Sequence, residues 1–208
     1  MAQAITAPRH ELHSVTDWKA GAWAGVIAGL VFVMLEMGMV WMFQGQSPWG
    51  PPHMIAAMAL GKDVLPPPGT WAPFDVKIML TAMMIHLPLS IALGLIGAWL
   101  VHRFDWAGGL MSGAGLGLAI YIVNFYAIAP AAFPWFEMGR NWIGAFSHVM
   151  FGAVLGVAYI ALRKPKLTGR QAGEVLVWLR QAQRLQLDCP AACARARAAR
   201  RHWARRSR

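Results

Sequence analysis

Four side chains with chemistry to offer interrupt long apolar stretches of the chain: Glu36, His86, Asn124 and His148. Neutral imidazoles and a carboxylate are ligands for zinc, iron or copper, so His86, His148 and Glu36 read as a candidate transition-metal set. Two histidines on separate helices are also the axial pair that a b-type haem requires. A carboxyl inside a membrane supports a different chemistry, that of a proton relay or an ion-coupled transporter centred on Glu36. A third arrangement needs no ligand. In it Glu36 or Asn124 accepts a hydrogen bond from a histidine and ties the helices together, as in a non-catalytic scaffold. The residues alone leave all three open.

Soluble-type catalysis has no support. The chain shows no nucleophile paired with a base, no carboxylate pair, no phosphate loop and no C-x-x-C-H or H-E-x-x-H signature. Cys189 and Cys193 form a C-x-x-x-C pair with His202 as the nearest further ligand, short of the four that a closed zinc site takes. On the cytoplasmic side of a membrane the two are expected to be reduced thiols.

The elements that must position the four polar residues are membrane spans. Of the 208 residues, 57% are hydrophobic and 13% charged, against roughly a quarter charged in a soluble domain. A helix needs about 20 apolar residues to cross a bilayer core. Four stretches qualify, at about 18–44, 76–101, 108–129 and 142–162. The expected fold class is therefore an all-α integral membrane protein with four transmembrane helices in one bundle. Residues 1–17 form a leader, 18–164 the membrane domain and 165–208 a basic tail. The first span is too long for the apolar region of a cleaved signal peptide, and its leader is not a short basic one.

Charge then orients the spans, since Lys and Arg favour the cytoplasmic side of short loops. Arg9, Lys19, Arg103 and the tail fall on one side; Lys62, Lys77 and Arg140 fall on the other. Both termini are expected in the cytoplasm, and the chain in a bacterial inner membrane. In the first outer loop, Pro52 to Leu60 reads as a short helix started by proline and stopped by Gly61. At 1.5 Å per residue, Glu36, His86, Asn124 and His148 all lie about 8–15 Å below the outer ends of their helices, in one layer.

The spans also repeat. A shift of 88 positions carries Asp17-Trp18 onto Asp105-Trp106, and Gly21, Gly25 and Gly29 onto Gly109, Gly113 and Gly117. A shift of 62 carries His86 onto His148 and Gly94 onto Gly156. Two tandem helical hairpins are expected, entering the membrane in the same direction and related by an axis along its normal. Glycines four apart lie on one helix face and admit a neighbouring backbone, so both triplets are expected at helix–helix contacts. The sequence shows no pair of interrupted helices.

The tail carries the basic character. Thirteen of the nineteen Lys and Arg lie between Arg163 and Arg208. Thr168 to Leu187 has the spacing of an amphipathic helix, with Val175, Leu176, Leu179 and Ala182 on one face. Such a segment is drawn to anionic lipid headgroups; nucleic acid is not an expected partner, for want of a binding fold.

The segments SPWGPPHMIAAMALG (Ser47 to Gly61), YIVNFY (Tyr121 to Tyr126) and FPWFEMGRNW (Phe133 to Trp142) resemble a group of small uncharacterised bacterial membrane proteins labelled "sodium:proline symporter". The resemblance spans about Trp18 to Lys164 and implies a four-helix bacterial membrane protein with a symporter-like role. A chain of four spans would need a homo-oligomer or a larger membrane complex to supply alternating access.

Overall fold

The computed structural model describes residues 15–164, together with Gly173, Leu176, Val177, Leu179, Arg180, Gln181 and Gln183. Residues Thr16–Lys164 form one compact unit. Its elements are α1 (Trp18–Gln44), α2 (Gly50–Leu60), a short 3-10 turn (Lys62–Val64), α3 (Val76–Val101) and α4 (Trp106–Val123). A π-helical turn (Asn124–Ile128), α5 (Ala129–Ala132), a second 3-10 segment (Pro134–Gly139) and α6 (Trp142–Leu162) follow. The described residues contain no strand.

Four helices are long and apolar enough to cross a membrane: Trp18–Gln44, Val76–Val101, Trp106–Ala132 and Trp142–Leu162. The chain is thus an all-α, multi-pass membrane protein. The third span differs from its sequence boundaries of 108–129. It begins at Trp106, is interrupted by the π-turn at Asn124, and continues through Pro130 to Ala132. Pro130 lies inside this continuous span and has no N–H to give, so a carbonyl of the preceding turn goes without its helical donor.

Each span starts on a side-chain cap. Asp17 accepts from Ala20 N–H at 3.2 Å, Asp75 from Ile78 N–H at 3.1 Å and Asp105 from Gly108 N–H at 2.8 Å. Asn141 accepts from Ile143 N–H at 2.9 Å and Gly144 N–H at 3.1 Å. The recurring Asp-Trp pair therefore has a local cause, a capping aspartate followed by an interfacial tryptophan.

Helix α1 packs along both α3 and α6, and α6 packs along α4, whereas α3 and α4 touch little. The glycine triplets make the two hairpin contacts. A Cβ placed on Gly25 would sit 3.0 Å from Ile91 Cα, and one on Gly113 would sit 3.2 Å from Gly156 Cα. Both triplets thus face their own hairpin partners, and they do not face each other. In lipid this matters more than apolar burial, since lipid tails offer no hydrophobic drive between helices. Between the hairpins the core is small and apolar: Ala28, Phe151 and Leu155, with Phe32 and Leu93 against them.

The two ends of the bundle are built differently. At the terminal end, Asp17 N–H donates to the Tyr159 hydroxyl at 3.1 Å and Lys164 N–H donates to the Asp17 carboxylate at 3.3 Å. Arg163 donates to the carbonyls of His102 and Phe104 in the turn between α3 and α4, at 2.6 and 2.7 Å. At the loop end, α2 packs on α3 through Ala56, Ile78 and Ala82. Ser47 Oγ donates to the Ala72 carbonyl at 2.7 Å, and Trp135 Nε1–H donates to the Met54 carbonyl at 3.1 Å. The expected loop helix is present, starting two residues earlier than Pro52.

Within the tail, Gly173, Leu176, Val177, Leu179, Arg180, Gln181 and Gln183 are helical and exposed. Val175, Ala182, Cys189, Cys193 and His202 lie outside the described residues.

Candidate functional site

The polar residues of the spans gather where α1, α3 and α6 meet, with the end of α4 as a further wall. Their centre is an apolar side chain, Phe32. Its ring stacks on His86 at a centroid distance of 5.5 Å and meets His148 edge-on at 4.8 Å. The two imidazoles are therefore close, as their matched depths predict, with a phenyl ring in contact with both.

Each histidine is held by a backbone carbonyl. His86 Nε2 lies 3.0 Å from the Gly29 carbonyl across the α1–α3 contact, with Ser90 Oγ 3.3 Å from the same nitrogen. A carbonyl only accepts, so Nε2 carries the proton. The contact depends on glycine: a Cβ at position 29 would fall 2.6 Å from Ser90 Oγ and 3.3 Å from His86 Nε2. His148 Nδ1–H donates instead to Gly144 O of its own helix at 2.7 Å, which leaves the Nε2 lone pair. Tyr121 and Phe125 complete the walls around His148, at centroid distances of 5.6 and 5.5 Å.

Of the three arrangements that the sequence leaves open, the ligand-free one pairs a histidine with Glu36 or Asn124, and these bonds differ from that pairing. Neither histidine is paired with Glu36 or Asn124; both are satisfied by backbone. Bis-histidine haem ligation does not fit this arrangement either. His86 has its Nε2 engaged with Gly29, and Phe32 occupies the space against both rings. Among the described residues no three of His, Cys, Asp and Glu gather closely enough to hold a metal ion, so Glu36, His86 and His148 do not form a three-ligand set.

Glu36 sits one helical turn beyond Phe32 on α1. Its carboxyl lies against Ser147 of α6. Glu36 Oε2 and Ser147 Oγ are both buried, and neither has a hydrogen bond of acceptable geometry. Ser147 is fully buried. A small apolar pocket bordered by Phe32, Met37, Pro52, Ile55 and Met83 flanks the Glu36 side chain. Buried polar atoms nearly always find partners, so an unsatisfied carboxyl oxygen beside an unsatisfied hydroxyl marks the place in this bundle best able to take up a proton or a polar ligand.

Asn124 is not in that cluster. It opens the π-turn, is half-buried, and makes no side-chain hydrogen bond among the described residues. The wider turn has another consequence. Arg140 Nε–H donates to the Phe125 carbonyl within it at 2.7 Å, while the guanidinium lies over the Tyr126 ring at 5.2 Å and 3.4 Å from Glu137. Single π-turns inside α-helices recur at functional sites. Tyr121 is in electrostatic reach of both Glu36 and Arg140, and its hydroxyl donates to the Asn141 carbonyl at 3.3 Å.

Sequence reasoning missed Phe32, Ser147, Tyr121 and Arg140. Phe32 carries no signal that separates it from a lipid-facing phenylalanine. Ser147 directly precedes His148, and a serine that neighbours an intramembrane histidine was a detectable cue. No known family, curated protein or solved structure matches this chain.

Proposed function

We propose that this chain is a bacterial inner-membrane protein whose Glu36 takes up and releases protons, in a small ion- or proton-coupled transport role. The observation that carries the reading is the unsatisfied pair of buried oxygens, Glu36 Oε2 and Ser147 Oγ. A carboxyl oxygen left unsatisfied in a low-dielectric interior is retained at a stability cost, and intramembrane carboxyls of this kind mark ion and proton paths. His148, with a free Nε2 lone pair behind Phe32, is the nearby base. The symporter label of the group that the chain resembles agrees with this class of role. A transport cycle would draw on a second copy or a partner subunit, since four spans offer little room for alternating access.

Several arrangements belong to the same proposal. The positive-charge bias supports cytoplasmic termini, with α2 and Arg140 on the periplasmic side. Anionic lipid headgroups are the natural partner of the basic tail. Tandem duplication is supported by matched contacts: Gly25 meets Ser90 and Ile91 as Gly113 meets Gly152, and Gly94 meets Gly21 as Gly156 meets Gly109.

The test is proton movement. Purified protein in liposomes with an internal pH dye and an imposed gradient should dissipate it faster than empty liposomes, and Glu36→Gln should abolish the difference. Equal rates for Glu36→Gln and the unsubstituted chain would sink the reading.

A further inference from the structure

We propose that the Glu36 layer is reached from the loop end of the bundle alone. This rests on the reading of Glu36 as a proton-exchanging group and adds the side from which it exchanges.

On the loop side, Glu36 borders a small pocket that it forms with Phe32 of α1, Pro52 and Ile55 of α2 and Met83 of α3. In the same half of the bundle the Tyr121 hydroxyl donates to the Asn141 carbonyl. Arg140 comes next, held by the Phe125 carbonyl that the π-turn presents and by Glu137, whose side chain is 57% exposed. The titratable groups facing this approach are Glu36, His148, Tyr121, Tyr126, Glu137 and Arg140, with His86 behind Phe32.

Toward the terminal end the described residues of the spans offer nothing comparable. Below Ser90, α3 continues to Val101 through apolar and glycine residues only, about 16 Å at the helical rise. From Ala20 to Leu35, α1 has no side chain able to hold a chain of water, and α6 has none from Val149 until Tyr159. The space between them is filled. Ala24, Ala28, Ala98 and Leu155 are fully buried. The glycine contacts bring backbones together over the same depth, where a Cβ on Gly94 would lie 2.7 Å from Gly25 Cα. Closely packed apolar side chains and backbone leave no room for water, and a proton needs a chain of polar groups or water to travel.

The experiment is sided labelling of the full chain in a Cys189→Ser, Cys193→Ser background. Three single cysteines are compared in sealed vesicles of either orientation: Ser147→Cys beside Glu36, Glu137→Cys as the reporter of the loop side, and Ala28→Cys below the layer. The probe is a small membrane-impermeant cationic methanethiosulfonate. Ser147→Cys is expected to react from the side on which Glu137→Cys reacts, at least tenfold faster than from the opposite side, with Ala28→Cys unreactive from both. Equal rates from both sides, faster reaction from the opposite side, or no reaction until the protein is denatured would each overturn the proposal. Should Ser147→Cys not fold, carbodiimide coupling of Glu36 in the otherwise unsubstituted chain, from each side in turn, reads the same asymmetry by mass spectrometry. Sided labelling with unimpaired flux in Glu36→Gln would sink the functional reading and leave the access route standing.

Discussion

His86 on α3 reaches across to α1 and gives its Nε2 proton to the carbonyl of Gly29, 3.0 Å away. The bond exists because residue 29 has no side chain, and it joins the polar layer to the glycine seam that closes the first hairpin. Chemistry and packing therefore share one helix face.

Gly29→Ala should break this junction. Its Cβ would fall within 2.8 Å of Ser90 Cβ, so α3 must move away and the His86 bond lengthens. Loss of an interhelical hydrogen bond in lipid is worth about 1 kcal/mol, and a forced backbone shift adds about 1–3 kcal/mol. Thermal unfolding in detergent should show a clear drop, larger than that of His86→Phe. An unchanged transition would mean that the hairpin is not closed at this glycine.

Glycines outside the seam provide the contrast. Gly38 and Gly115 meet nothing within 4 Å, so alanine at either should be neutral, or stabilise by up to about 1 kcal/mol through helix propensity. Leucine at Gly25 or Gly113 should instead prevent assembly, since the Gly25 Cβ would already be 3.0 Å from Ser90 C. Size-exclusion profiles and expression yields separate the two classes, and similar behaviour of both would contradict the packing described.

Ser147→Ala removes a fully buried hydroxyl that lies against the Glu36 carboxyl without a well-formed hydrogen bond. An unsatisfied buried polar atom costs about 1–3 kcal/mol, so this variant is expected to melt at a higher temperature than the unsubstituted chain. A lower melting temperature would mean that Ser147 is satisfied in the membrane. Glu36→Met should behave likewise while losing proton movement, the trade between stability and activity common at functional sites.

Arg140→Met removes the guanidinium from the Phe125 carbonyl and from the Tyr126 ring. Amide exchange from Phe125 to Phe133 should accelerate, with α1 and α3 unaffected. Exchange unchanged in that segment would show that the π-turn holds without Arg140.

Titration of the purified protein with haemin should give no low-spin bis-imidazole spectrum, because His86 Nε2 is engaged with Gly29 and Phe32 lies against both rings. Such a spectrum, lost in His86→Ala and in His148→Ala, would require the layer to rearrange on binding.

The linear chain by itself determined what depends on local order: where the spans run, and how the polar residues are spaced along them. Hydropathy over about twenty residues and a rise of 1.5 Å per residue are properties of one helix at a time, legible without a neighbour. The glycine triplets likewise announced a close contact. Only the tertiary structure decided who meets whom. Rotation of each helix about its axis placed Phe32 against both histidines, sent each histidine to a backbone carbonyl, and put Glu36 against Ser147 while leaving Asn124 apart. A hydrogen bond tolerates only a few tenths of an ångström and a few tens of degrees, finer than any spacing pattern encodes. The Phe125 carbonyl within the π-turn likewise finds a donor only in the fold, in Arg140, fifteen residues away in sequence.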